Sequence, residues 1–126
     1  RGNRMTTRIL AVDDSPTIRA LVSKALRNAG FDVFLAVDGV DGVGALSEAD
    51  PHLIITDINM PRMDGFGLIE NVRATGAYAD VPILVLTTES GADLKARARS
   101  AGATGWIVKP FEDERLIAVI DKVLGR

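Results

Sequence analysis

Asp13, Asp14, Asp57, Thr87 and Lys109 are residue types that would do chemistry together if they met in space. Each follows a short apolar run: 9–12 leads into Asp13-Asp14, 53–56 into Asp57, 83–86 into Thr87-Thr88 and 106–108 into Lys109-Pro110. If the runs are parallel strands, these residues share the carboxyl edge of one sheet, where open α/β sheets bind ligands. Three nearby carboxylates repel one another, and without a counter-ion at least one is pushed toward protonation. A hard divalent cation resolves the conflict. Oxygen-only ligands, with neither His nor Cys, point to Mg²⁺, which takes a few carboxylates and keeps several waters. Such a site also accepts a phosphoryl oxygen, and a carboxylate within it can be a nucleophile that forms an acyl phosphate. Lys109 would hold one phosphoryl oxygen as a point charge, and Thr87 would donate a hydrogen bond to another. Singly, each residue has an ordinary reading: Asp14 as a helix cap, Asp57 as a turn residue, Lys109 as a surface lysine, Thr87 as strand content.

A frame of alternating elements must position them. The apolar runs are 9–12, 33–36, 53–56, 83–86 and 106–108. Three are continuous, as strands buried on both faces of a parallel sheet read. Helical stretches lie between. In the first, Ile18, Leu21, Val22, Ala25, Leu26 and Ala29 recur at spacings of three and four; Ser15 suits its cap, Pro16 its first turn and Gly30 its exit. The last, over 112–124, repeats the pattern with Leu116, Ile117, Ile120, Val123 and Leu124. The stretches 39–48, 65–75 and 91–101 are weaker helices, given Gly42, Gly44, Gly67 and their polar content. Five strands alternating with five helices predict an α/β fold, a (βα)5 doubly wound parallel five-stranded sheet with right-handed crossovers.

Composition removes other chemistries. The chain has 126 residues, enough for one domain that buries roughly two-thirds of its unfolded surface. Apolar residues at 47% and charged residues at 25% describe a globular rather than a disordered chain. Seventeen acidic and fifteen basic side chains give a formal charge of −2, which argues against an electrostatic nucleic-acid binder. The lack of cysteine excludes disulfides, thiolate metal sites and cysteine nucleophiles, and a single histidine excludes a His-pair metal site. That histidine, His52, opens the third strand five residues before Asp57. At about 3.3 Å per residue it lies roughly 16 Å away, at the wrong end for catalysis. No apolar run approaches the ~20 residues of a membrane span, and no signal peptide follows Met5, so a cytoplasmic protein is expected. Arg1-Gly2-Asn3-Arg4 precede Met5 and read as a cloning scar, leaving 5–126 as a single domain. The last helix runs to the end of the sequence, so output is expected through binding another protein.

The edge residues sit in longer motifs: Val12-Asp13-Asp14-Ser15, Asp57-Ile58-Asn59-Met60-Pro61-Arg62-Met63-Asp64-Gly65, Leu86-Thr87-Thr88-Glu89 and Val108-Lys109-Pro110-Phe111. In order and spacing, over residues 7–125, they resemble the receiver domains of two-component response regulators. Within that family the stretches 57–67 and 101–111 are most similar to stand-alone CheY-like chemotaxis regulators of the alpha-proteobacterial type. The resemblance implies the flavodoxin-type strand order 2-1-3-4-5, for which CheY is itself a standard example. It also implies that Asp57 accepts a phosphoryl group from a phosphohistidine on a CheA-like histidine kinase. Asp14 would ligate Mg²⁺ directly, Asp13 mainly through water, and Asn59 through its backbone carbonyl. Lys109 would contact a phosphoryl oxygen, Thr87 would swing toward it, and the Lys109–Pro110 bond would be cis. Asn59 and Glu89 would tune how fast water removes the group.

Two positions depart from the family's common pattern. Trp106 stands where a switching Tyr or Phe is frequent, and its indole N–H needs a partner when buried. Thr88 replaces a frequent Ala or Gly and would narrow access to Asp57. On the fourth helix Lys95, Arg97 and Arg99 read either as a solvated face or, with the fifth strand and helix, as a docking face for the flagellar motor switch. The resemblance implies a monomeric signalling switch rather than an enzyme, with a phosphatase as a further partner and no nucleic-acid or membrane partner. A phosphate sink that competes for the kinase without driving the motor is the alternative. A haloacid-dehalogenase-type phosphatase fits poorly, because its Asp-x-Asp pattern after the first strand is not matched by Asp13-Asp14-Ser15-Pro16. A flavodoxin-type binding module would need a phosphate-cradling loop there, and no GxGxxG or GxxxxGK[ST] motif exists.

Overall fold

Each of the five apolar runs forms a strand: β1 (Arg8–Val12), β2 (Asp32–Ala36), β3 (Leu53–Thr56), β4 (Ile83–Thr87) and β5 (Gly105–Val108). Between them run α1 (Pro16–Asn28), α2 (Gly39–Ala49), α3 (Gly65–Ala74), α4 (Ala92–Ala101) and α5 (Asp113–Val123). This is a computed structural model and describes residues 6–126. The scar expected at residues 1–4 and the start at Met5 lie outside the described residues. All strands are parallel, in the order β2-β1-β3-β4-β5.

Strand alternation divides the core between two faces. Ile9, Ala11, Leu53, Ile55, Leu84 and Leu86 point to the face covered by α1 and α5. Leu10, Val12, Ile54, Ile83 and Val85 point to the face covered by α2, α3 and α4. The three central strands are buried throughout, apart from the first residue of β1, while Leu35 on β2 and Val108 on β5 are partly exposed at the two sheet edges.

Caps explain why the glycine-bearing stretches hold as helices. The Asp38 carboxylate accepts from the Asp41 N–H at 2.9 Å to open α2, and Asp64 accepts from the Gly67 N–H at 2.9 Å to open α3. Ser15 accepts from Ile18 N–H at 3.2 Å, Pro16 begins α1, and Gly30 follows it with φ +95°. Gly91 and Glu112 start α4 and α5 without a side-chain cap. Leu21, part of the helical periodicity of α1, is half exposed, because the helix turns Val22, Ala25 and Leu26 inward and leaves Leu21 beside that stripe.

Candidate functional site

Parallel pairing brings the ends of β1, β3, β4 and β5 to one edge, and the backbone ladder continues one residue past three of them. Asp13 N–H donates to the Ala36 carbonyl at 3.1 Å, Asp57 N–H to Val12 at 3.0 Å and Lys109 N–H to Thr87 at 2.7 Å. The chemical side chains therefore leave from fixed backbone. Asp13, Asp14 and Asp57 each present a carboxylate oxygen, all within 4.8 Å of one another.

Lys109 lies among them. Its Nζ donates to Asp13 Oδ2 at 2.8 Å and to Asp57 Oδ2 at 2.9 Å, and all three side chains are nearly buried, at 8%, 8% and 12% exposure. Burial alone would lower the Lys109 pKa; the hydrogen bonds and charges of Asp13 and Asp57 override it and hold the ammonium above its ordinary value. Part of the counter-charge expected from a metal is thus supplied by the chain, which leaves two negative charges in the cluster uncompensated. The remaining oxygens are also placed. Asp13 Oδ1 accepts from Ser15 N–H at 2.9 Å, and Asp57 Oδ1 accepts from Ile58 N–H at 2.6 Å. Arg19 donates to the Asp13 carbonyl at 2.7 Å. Asp14 is exposed, on the solvent side of the cluster. An all-oxygen set with net negative charge and one open side fits a hard divalent cation such as Mg²⁺.

The loops around this cluster carry the other expected residues. Thr87 is buried, and its hydroxyl accepts from Glu89 N–H at 3.4 Å, so it is engaged with its own loop. Thr88 and Asn59 are exposed. Asn59 Nδ2 donates to Glu89 Oε2 at 3.1 Å, which links the loops after β3 and β4. The indole partner that Trp106 needs is the Glu89 backbone carbonyl, at 2.9 Å, and the ring is half-buried. The Lys109–Pro110 bond is cis. Lys95 and Arg99 line a shallow hollow of about 70 Å³ beside Trp106. Arg97 leaves that group: its guanidinium lies 3.9 Å from the Phe66 ring centroid, a cation–π contact onto α3. His52 is at the opposite end of β3, where its Nδ1 accepts from Arg8 N–H at 3.0 Å. Burial, though slight, and the neighbouring Arg8 charge hold its pKa below the ordinary value.

Sequence reasoning missed two supports of the site. Gly65 packs so closely on the Asp57 backbone carbonyl that a Cβ would overlap it. Asp38 and Arg62 form a bidentate ion pair, at 2.7 and 3.0 Å, and the guanidinium holds the Asp38 carboxyl below its usual range. A glycine at a helix start is a visible signal. An ion pair between residues 24 apart in sequence has none.

Comparison with known proteins follows the same outline. Residues 9–121 match the model of the response regulator receiver domain. Chemotaxis protein CheY1 of Helicobacter pylori is 39% identical over 120 residues, covering 94% of this chain and 97% of that protein. The DNA-binding dual master transcriptional regulator RpaA of Synechocystis is 38% identical over 119 residues, and this chain spans 49% of its length. Among solved structures, Vibrio cholerae CheY4 superposes with a TM-score of 0.89 at 43% identity, covering 93% of this chain and 98% of that one. The receiver domain of the sensor histidine kinase PA1611 of Pseudomonas aeruginosa, with a magnesium ion coordinated in its active-site cleft, superposes with a TM-score of 0.87 at 26% identity over 96% of this chain.

Proposed function

The chain belongs to the response regulator receiver family, and from that premise we propose that it is a CheY-like phospho-acceptor that takes a phosphoryl group from a histidine kinase onto Asp57. The observation that carries the reading is the placement of Lys109 between Asp13 and Asp57, on the sheet edge that also holds Asp14. A carboxylate oxygen of Asp57 attacks phosphorus. A P–O bond forms as the P–N bond to the donor histidine breaks, and the imidazole leaves. Lys109 turns one of its donors to a phosphoryl oxygen while its bond to Asp13 keeps it in place. The Thr87 hydroxyl gives up the Glu89 N–H and donates to a second phosphoryl oxygen, which releases one tie of the loop after β4.

Asp14, Asp57 and the Asn59 carbonyl would hold Mg²⁺, with Asp13 acting mainly through water; the magnesium-bound PA1611 receiver supports the assignment. Mg²⁺ so held supplies neutralising charge for the transferring oxygens. Asn59 and Glu89, bonded to each other beside the acceptor, tune the entry of the hydrolytic water, and exposed Thr88 narrows that approach. The chain acts as a switch that undergoes self-phosphorylation and self-dephosphorylation, not as a turnover catalyst. Its output surface is the α4-β5-α5 face, with Lys95, Arg99 and Trp106 reading out the loop, and the similarity to CheY1 and CheY4 supports a cytoplasmic role in chemotaxis.

The test is intact mass after incubation with Mg²⁺ and acetyl phosphate or phosphoramidate. The expected result is a labile gain of one phosphoryl group that is absent in Asp57→Asn; a gain that survives this substitution overturns the reading. Binding to a flagellar motor-switch protein with and without beryllofluoride then separates the motor role from a phosphate sink.

A further inference from the structure

The loop between β3 and α3 carries both the acceptor Asp57 and the carbonyl of Asn59, yet it is anchored outside the site. Arg62 donates through Nε to Asp38 Oδ2 at 2.7 Å and through Nη2 to Asp38 Oδ1 at 3.0 Å. Asp38 is itself held at the α2 start: it is 3% exposed, its Oδ1 caps α2 through the Asp41 N–H, and Asp41 returns a bond by accepting from Val37 N–H at 3.0 Å. A second tie runs beside the first. Gly39 N–H donates to the Met63 carbonyl at 3.0 Å, and Met63 fills the space that a Cβ on Gly39 would need. Arg62 has φ +64°, a left-handed conformation that costs a residue with a Cβ and that glycine adopts freely. An arginine at that position is offset by its own fork on Asp38.

We propose that Arg62 and Asp38 are positioning residues for the phosphoryl site. They clamp the loop onto α2, and so fix where Asn59 and Asp57 present their oxygens to the cation. The proposal rests on the reading of Asp13, Asp14, Asp57 and Asn59 as the Mg²⁺ site. Between Asp57 and Arg62 only Ile58 is buried, while Asn59 is exposed. With the clamp open, the chain from Asn59 onward keeps to α2 through the more distant Met63–Gly39 tie and has lost the nearer one at Arg62. Mg²⁺ demands near-ideal octahedral geometry, so displacement of one carbonyl ligand weakens binding. The Arg62 side chain is 58% exposed, so its removal leaves no cavity in the core.

Mg²⁺ titration by calorimetry, with a melting curve taken without Mg²⁺, tests this on four proteins: wild type, Asp57→Asn, Arg62→Ala and Arg62→Lys. Wild type is expected to bind saturably and Asp57→Asn weakly or not at all. Arg62→Ala is expected to bind about tenfold more weakly, the low end for loss of an outer support of a metal ligand, and to melt at a lower temperature, because buried Asp38 loses its cation and the left-handed backbone loses its offset. Arg62→Lys, which keeps the charge and loses the fork, falls between. Wild-type affinity in Arg62→Ala, or a lower melting temperature with unchanged Mg²⁺ affinity, overturns the clamp and leaves the site reading intact. Failure of the wild type to bind Mg²⁺ overturns both.

Discussion

The loop from β3 to α3 and the loop from β4 to α4 flank the same carboxylate and are built on opposite terms. The first is bonded along its length: Ile58 is buried, Arg62 is forked onto Asp38, Met63 is tied to Gly39, Asp64 caps α3, and Gly65 rests on the Asp57 carbonyl. It leads into a helix with Phe66, Leu68, Ile69 and Val72 in the core. The second is held chiefly through Glu89, by the Thr87 hydroxyl, the Asn59 amide and the Trp106 indole. It leads into a helix that starts at an uncapped Gly91 and buries Ala98 alone. A site that must hold a nucleophile still and also report its state needs both. Local stability is low where buried apolar contacts are few, and the elements that move are drawn from that end. On the proposed function, the many-bonded loop would serve the chemistry and the weakly held loop the output.

Lys109 joins the two sides and carries the largest effect. Lys109→Ala leaves Asp13 and Asp57 facing each other without their shared cation and is expected to cost about 3 kcal/mol by urea unfolding, the low end for breaking a buried pair, because the cleft opens to water. Saturating Mg²⁺ should restore part of the loss, and no restoration would separate the cation from these carboxylates. A Cβ added to each loop compares the sides directly. Gly65→Ala drives a methyl group into the Asp57 carbonyl and should cost about 2 kcal/mol, whereas Gly91→Ser meets open space at a helix N-cap and should stay within about 0.5 kcal/mol of wild type. Equal effects would erase the contrast. Trp106→Phe removes the indole bond to Glu89 and should cost about 1 kcal/mol or less, while speeding amide exchange after β4 and leaving the loop after β3 unchanged.

The smallest effect lies away from both loops. Nδ1 of His52 accepts the Arg8 N–H, so the neutral ring fits the fold and the protonated ring loses that bond. With its folded pKa below the unfolded value, this stabilisation is complete above the ordinary histidine value of about 6.5 and is lost as pH falls through the folded pKa. Stability of wild type should therefore fall more steeply below neutrality than that of His52→Gln, with Mg²⁺ affinity at neutral pH the same in both.

Neither side was fully legible in sequence: the Arg62–Asp38 pair was hidden on the strongly held side and the Trp106 acceptor on the other. Continuous apolar runs announce the central strands, and an acidic or basic residue after each run announces the sheet edge, because both signals are local. Ser15-Pro16 and Gly30 bracket α1 for the same reason. What was hidden is relational. The acceptor for Trp106 is a backbone carbonyl, which no side-chain identity encodes. Lys109 reads in sequence as a contact for a phosphoryl oxygen; that its ammonium also bridges Asp13 and Asp57 is set by geometry across 96 and 52 residues of sequence. Lys95, Arg97 and Arg99 look alike on the page, yet Arg97 turns to Phe66 while Lys95 and Arg99 remain beside Trp106.

Amide hydrogen exchange of the wild-type protein, followed residue by residue with Mg²⁺ alone and with Mg²⁺ plus beryllofluoride, tests the division of labour most directly. Changed protection at residues 88–91 and 105–108, with residues 62–66 unchanged, is the predicted result. Equal responses in both loops, or a response confined to 62–66, would contradict it.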